Sequence, residues 1–402
     1  MNRRSGALLL GIVVSATALA FGSRPLGVAG VGLLLAAGAA RAWAGLVRGP
    51  VTVVQTSDPA PATEGDSVRL GFDAQRMSRM PVGSLVVHGR LGRLGDVECR
   101  LRGHGRTAVG ELSLGRPPRG RYVLSEARLE LGDHLGLESI SRPLESGVAV
   151  VVHPRLVELR GLFSDAGRYG GDGRRFLLRR PVGFDFHSVR EYEQGESLRR
   201  VHWPTTARRG QLMVKELEDA PRDAAVVLLD CDPAGSAGDP HDSSFDAAVR
   251  AAGSVLRAYA ARGRCVTLVT TGSEPAVVDV AGLGGDFRSA LDALAAVEAD
   301  ASHPLARSLG RGQAPVTRAG ELVVVTGTLE AGAVDRLLDA AVRRLVSVVW
   351  IDAPSYVGRP TRAAPGALRL AAAGIPVAVV RRGDDLAATL GVPRVEAAHA
   401  NG

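Results

Sequence analysis

The hydrophobic pattern changes character twice along the chain. Ser5 to Ser23 runs without a charge, Arg24-Pro25 interrupts, and Leu26 to Val47 is apolar again except for Arg41. Each run is close to the roughly 20 residues that cross a bilayer. So short a connection makes them a helical hairpin, residues 1–49, with both ends on one side. From Pro50 the pattern becomes short and alternating: Val51–Gln55, Ser67–Phe72, Ser84–His88, Val97–Leu101, Thr107–Leu112, Tyr122–Ser125 and Arg128–Leu131. Turn residues recur about every ten positions, as in a β-sandwich, which we place over 50–155. The third pattern, over 221–392, is a βα series. Its strands are continuous apolar runs (Ala224–Asp230, Cys265–Thr270, Leu322–Thr326, Val346–Asp352, Ile375–Val380). Between them lie helical periods at Phe245–Ala261, Phe287–Val297, Ala331–Arg344 and Arg362–Ala373. This alternation predicts a doubly wound parallel sheet covered on both faces. The tail, 393–402, is polar and reads as disordered.

Charge orients the hairpin. Arg3, Arg4, Arg41 and Arg48 outnumber the single Arg24 of the turn, so the positive-inside rule puts both ends and the remaining chain in the cytoplasm. The expected location is the inner or plasma membrane, multi-pass, with cytoplasmic soluble domains. Gly27, Gly30, Gly32, Ala36 and Gly38 are small enough for close helix packing. The competing reading is a cleaved signal peptide with Ala18-Leu19-Ala20 as the cleavage site; a second membrane-length run directly behind it argues for the hairpin.

Composition narrows the chemistry. The 402 residues carry a net charge of +7, and Lys215 is the only lysine among 49 basic residues. Aromatic residues make up 4%, too few for an extended base-stacking surface. Cys99, Cys231 and Cys265 are too scattered for a disulfide framework or a thiolate metal site and read as small buried hydrophobes. No HExxH, P-loop, GxSxG, GxGxxG or kinase signature is present.

The segment 156–220 concentrates basic character in its second half, where 174–216 carry a net +5 of the chain's +7. Phe163–Gly173 is Gly-rich and reads as a linker. Residues 174–216 then carry ten basic and five acidic side chains. Asp185, Arg190, Glu191, Glu196 and Arg199 interleave the signs, as in a network of planar arginine–carboxylate forks, and Trp203 offers a face for an arginine. Three readings stay open on these residues: a structural ion-pair clasp, a docking surface for an acidic protein, and a phosphate or nucleic-acid site. The interleaved carboxylates argue against backbone tracking of nucleic acid.

The same spacing resembles the signature of the bacterial family known as domain of unknown function 58. The counterparts are Gly183, Asp185 and Phe186, then Arg190, Tyr192 and Gly195, then Arg199, Val201 and Trp203, then Ala207 and Arg208. Arg190, Glu191, Tyr192, Gly195, Arg199, Trp203, Ala207 and Arg208 are therefore the candidate protein-binding or structural residues. Glu196 stands where Asp is usual, and His202 where an acidic residue is common. Upstream, Pro118–Tyr122 and Asp133-His-Leu-Gly136-Leu137 resemble the family's RGxY and DPFGL strand pair, with His134-Leu135 in place of Pro-Phe.

The resemblance implies a von Willebrand factor A-like domain over 221–392. Many such domains hold a divalent cation through D-x-S-x-S, where this chain has Asp230-Cys231-Asp232-Pro233-Ala234. Asp230 and Asp232 are weak metal candidates, because Ala234 offers no oxygen; no cofactor is expected. Thr326, Thr328 and Asp352 fall at predicted strand ends, where ligands of such sheets gather. The resemblance further implies a MoxR-type AAA+ ATPase as partner and, in some cases, a transglutaminase-like membrane protein. The leading expectation is a membrane-anchored, non-enzymatic adaptor. The alternative is a metal-dependent hydrolase acting on a phosphate-containing substrate; no catalytic residues can be assigned for it.

Overall fold

The N-terminal apolar runs form two helices, α1 (Arg3–Phe21) and α2 (Arg24–Leu46), long and apolar enough to cross a membrane. The computed structural model describes residues 3–47, 49–76, 82–103, 106–145, 149–166, 186–191, 203–217, 225–310, 314–360 and 364–392. The chain divides into two compact units, 1–155 and 156–402. Pro25 starts α2, where its missing N–H costs nothing. The helices meet through small residues: Gly11 and Ala18 on α1, and Gly30, Ala37, Ala40 and Ala44 on α2, are buried. A Cβ on Gly30 would stand 2.7 Å from the Ser15 backbone nitrogen, so only glycine permits this approach. Gly32 and Gly38, expected in the seam, face open space. Helical periodicity selects Ala37 and Ala40 instead.

Unit 1 continues as two antiparallel-dominated sheets. Strands β1 (Val51–Asp58), β2 (Ala62–Thr63), β3 (Val68–Arg76), β4 (Ser84–Leu91), β5 (Asp96–Arg100), β6 (Thr107–Gly115), β7 (Gly120–Gly132), β8 (Ser139–Pro143) and β9 (Ala149–His153) follow in order. One sheet has the order β1-β3-β6; the other runs β2-β9-β7-β4-β5, with β8 also on β7. The core comes from alternate positions, among them Leu70, Phe72, Val87, Leu124 and Leu129. Val47, just past α2, is buried in it, and Trp43 packs against it. The expected strands Tyr122–Ser125 and Arg128–Leu131 are halves of the single strand β7. Glu126 has φ 51°, and the register against β4 slips there. This bulge resets the alternation, which makes one strand read as two.

In unit 2, α3 (Phe163–Ala166) is followed by β10 (Phe186–Glu191), α4 (Trp203–Arg209) and β11 (Met213–Leu217), with β10 and β11 paired antiparallel. The main series is β12 (Ala225–Leu229), α5 (Ser244–Ala261), β13 (Val266–Thr270), β14 (Val277–Val280), α6 (Gly285–Ala296), α7 (Leu305–Ser308), α8 (Ala314–Arg318), β15 (Glu321–Thr326), α9 (Ala331–Ala341), β16 (Leu345–Ile351), α10 (Pro365–Ala372), β17 (Val377–Val380) and α11 (Leu386–Leu390). The sheet order is β14-β13-β12-β15-β16-β17, parallel except for the antiparallel edge strand β14. Successive residues of each central strand serve opposite cores. Val227, Leu229 and Val325 pack toward α5, while Val226, Leu228 and Val324 pack toward α9. Both faces being covered explains the unbroken apolar runs.

The chain leading into the expected linker belongs to this core, and Phe163 at the linker's start packs against it. Leu159 and Leu162 are buried in it, and the Val157 amide donates to Ser254 Oγ of α5 at 3.0 Å. Residues 163–166 are the short helix α3. The rest of the linker and the tail 393–402 lie outside the described residues.

Candidate functional site

Two places bear on function: the signature segment, and the carboxyl ends of the central strands. In the signature, Arg190 and Glu191 end β10, opposite Val214 and Met213 of β11. Trp203 opens α4 and is 64% exposed. Ala207 and Arg208 lie on the same helix and are exposed. Thr206 Oγ1 accepts from the Met213 amide at 3.0 Å, tying α4 to the start of β11, and Met213 is buried. The signature is thus a β-ribbon with a helical crossing. Tyr192, Gly195 and Arg199 lie outside the described residues, as does Glu196 of the expected ion-pair network.

At the strand ends, Asp230 directly follows β12 and is 3% exposed. Its Oδ2 accepts from Thr326 Oγ1 at 2.7 Å and from Thr328 Oγ1 at 3.4 Å. Its Oδ1 accepts from Thr271 Oγ1 and the Asp232 amide, each at 3.3 Å. Burial raises the Asp230 carboxyl above the ordinary aspartate range, a shift the Thr326 hydrogen bond opposes. Proton counting agrees in direction. Thr326 has one hydroxyl proton but two acceptors at 2.7 Å, Asp230 Oδ2 and the Thr328 carbonyl, and it already accepts from the Thr328 amide. A proton on Asp230 satisfies both contacts.

The loops that follow β12 and β15 meet closely. Gly235, after β12, and Gly327, after β15, press backbone on backbone; a Cβ on Gly235 would stand 2.9 Å from Gly327 Cα. This is where the connections leave the sheet in opposite directions, and open sheets of this kind keep their ligand crevice there. Cys231 beside it is buried, and its thiol is pushed up to about 11 by desolvation, which leaves it an inert packing residue. Cys99 is buried as expected, whereas Cys265 is exposed.

The donor set does not fit the cation that the sequence resemblance implies. Asp230 faces four hydrogen-bond donors. Asp232 turns back to cap its own loop, accepting from the Ala234 amide at 2.9 Å. Ala234 brings no side-chain oxygen. Among the described residues no group of three or more His, Cys, Asp or Glu stands close enough to share an ion. Of the other strand-end residues, Thr326 and Thr328 join Asp230. Asp352 is buried at the end of β16, where Arg381 Nε approaches it at 3.6 Å. Thr271 was not singled out from the sequence; its signal was its place immediately after an apolar strand run.

The chain is therefore a mixed α/β protein with two apolar N-terminal helices that could span a membrane. Residues 188–355 match the family described as "Protein of unknown function DUF58". The matched stretch takes in the end of β10, the signature from Arg190 onward and every strand-end residue above. The chain is also 26% identical over 228 residues to "Uncharacterized protein YeaD" of Bacillus subtilis (strain 168). That alignment covers 56% of this chain and 54% of the relative, so the chain spans about half the length of that curated protein. Among solved structures, an alkylpurine DNA glycosylase AlkC of Pseudomonas fluorescens, bound to DNA containing an abasic site analog, aligns at 17% identity. The alignment covers 30% of this chain and 38% of that one with a TM-score of 0.16, too low to speak to fold or function.

Proposed function

We propose that the protein is a membrane-anchored, non-enzymatic adaptor. In this reading α1 and α2 are a transmembrane hairpin with both ends in the cytoplasm. Unit 2 is a von Willebrand factor A-like domain that docks a cytoplasmic partner, a MoxR-type AAA+ ATPase. The observation that carries the reading is the closed strand-end crevice. The Asp230 carboxyl is buried and spent on threonine hydroxyls, and the loops after β12 and β15 meet at Gly235 and Gly327. A sheet that fills its own crevice in this way offers surface rather than a pocket. Further support comes from the strand order, with the first strand central and one antiparallel edge, and from the exposed Trp203 of the signature. The ATPase as partner rests on the sequence resemblance.

The test is co-purification of the full chain, in detergent, with the MoxR-type ATPase of the same bacterium. Arg190→Glu and Arg199→Glu are compared with the wild type. The expected result is a complex with the wild type that both reversals weaken, with unchanged thermal unfolding. Normal binding by both folded variants removes the signature as the docking surface, and no complex with the wild type removes the ATPase.

A further inference from the structure

We propose that the turn Asp133–Glu138 is a membrane-interface contact, with Leu135 entering the headgroup–acyl boundary of the bilayer. The inference rests on α1 and α2 being a membrane hairpin. It comes from how unit 1 ties its turns to the helix ends. Arg4 is the last cation before the charge-free run of α1, and it pairs with Glu138 at 3.3 Å. Arg3 lies against the turn as well: a Cβ on Gly136 would stand 3.8 Å from Arg3 Nη1. From the adjoining strand β8, Arg142 donates to the Gly49 carbonyl at 2.6 Å and to the Val47 carbonyl at 3.4 Å, holding the chain just past α2. Cations flanking a span reside at headgroup level, so a turn bonded to them resides there too.

The turn is built to present its tip. The buried Asp133 carboxylate accepts from the amides of Leu137 at 2.8 Å and Glu138 at 3.2 Å. The Asp133 amide donates to the Glu138 carbonyl at 3.0 Å, and Gly136 supplies φ 65°. Both acids are thus occupied, Asp133 by backbone and Glu138 by Arg4. Leu135 stands out from this frame, 62% exposed, between exposed His134 and Gly136. In water its exposure brings nothing; at an interface its side chain reaches the depth of about 5–10 Å at which apolar anchors settle.

The test uses the full chain in phosphatidylethanolamine–phosphatidylglycerol nanodiscs, with Cys265→Ser removing the exposed thiol. An environment-sensitive fluorophore is placed on Leu135→Cys, on His134→Cys with Leu135 retained, on Ile12→Cys within α1, and on Ser67→Cys. Ser67 precedes Val68, about 26 Å along β3 from Arg76 at ~3.3 Å per residue; Arg76 pairs with Val51 beside α2. Nitroxide lipids report depth. The expected result is strong quenching at 134 and 135 by nitroxide high on the acyl chain, at Ile12 by nitroxide deep in it, and none at Ser67. Leu135→Asp should abolish quenching at 134. If Ile12 is quenched while 134 and 135 match Ser67, the interface contact is overturned and the membrane hairpin stands. If Ile12 is unquenched too, the hairpin falls and the contact with it.

Discussion

Glu321 and Asp230 are buried at opposite ends of the central sheet, and their surroundings treat the carboxyl in opposite ways. At the amino end of β15, Glu321 Oε2 receives Arg264 at 2.8 Å, and Oε1 receives the Tyr259 hydroxyl at 2.7 Å. The Arg264 guanidinium also lies over the Tyr259 ring, 5.0 Å from its centroid. This is a charge-assisted clasp fastening α5 and the loop after it to the sheet. At the carboxyl end, Asp230 sees threonine hydroxyls and one amide, and its acid is raised rather than held down. A buried carboxyl met by a guanidinium is a structural rivet. One met only by neutral donors has its pKa raised by burial, and here it lies buried at the position where such sheets bind ligands.

The comparison can be broken at either end. The largest effect is expected from Glu321→Ala, which leaves Arg264 and the Tyr259 hydroxyl without their carboxylate. Removing one partner of a buried pair costs about 3–5 kcal/mol, and the partial exposure of Arg264 points to the lower figure. Hydrogen exchange of β12 and β15 amides in the full chain should show that loss; unchanged exchange would mean that the clasp is ornamental.

At Asp230, alanine and asparagine should part company. Asp230→Ala takes the acceptor from the Thr271 hydroxyl and the Asp232 amide, while Thr326 keeps the Thr328 carbonyl, and should cost about 1–3 kcal/mol, whereas Asp230→Asn keeps the shape and offers both a donor and an acceptor. The sign with pH follows from the raised acid. Between the unfolded carboxyl's pKa and the higher folded one, only the folded state holds the proton. Stability is therefore full below the unfolded pKa and declines as pH rises to the folded pKa. Asp230→Asn should lack this decline and match or exceed the wild type at pH 7. A wild type that instead gains stability over that window, with Asp230→Asn weaker at pH 7, would mean that its hydrogen-bond donors hold Asp230 ionised.

The smallest effect is expected from Thr271→Val, which removes one donor to Asp230 and the acceptor of the Cys231 amide at 2.9 Å. A loss of about 1 kcal/mol in thermal unfolding fits one hydrogen-bonded hydroxyl. A loss as large as that of Asp230→Ala would make Thr271 the pivot of the cluster.

How legible each region was follows from how many faces it buries. β12, β15 and β16 stood out because helices cover both sides and few polar positions interrupt the runs, Ser347 being the one inside β16. The edge strand β14 was not visible: its four residues, Val-Val-Asp-Val, are half exposed, and among the described residues it pairs only with β13. β7 read as two strands because the bulge at Glu126 shifts its buried face. The pairing of β10 with β11 across the signature was hidden because nothing local to either segment names a partner so far along the chain.

The sequence by itself determined three things: the two apolar helices, the change from alternating to continuous strands, and the residues at the strand ends. These depend on local periodicity and on where an apolar run stops, and both are properties of consecutive residues. The tertiary structure alone decided what those strand ends do. Asp230 and Asp232 looked equivalent along the chain, yet one is buried among threonines from β15 and from the loop after β13, while the other caps its own turn. Thr271 and Thr326 lie 41 and 96 residues beyond Asp230 and reach it only because β13 and β15 flank β12. The order of strands in a sheet is set by which faces must be buried together, and no short window of sequence contains that information.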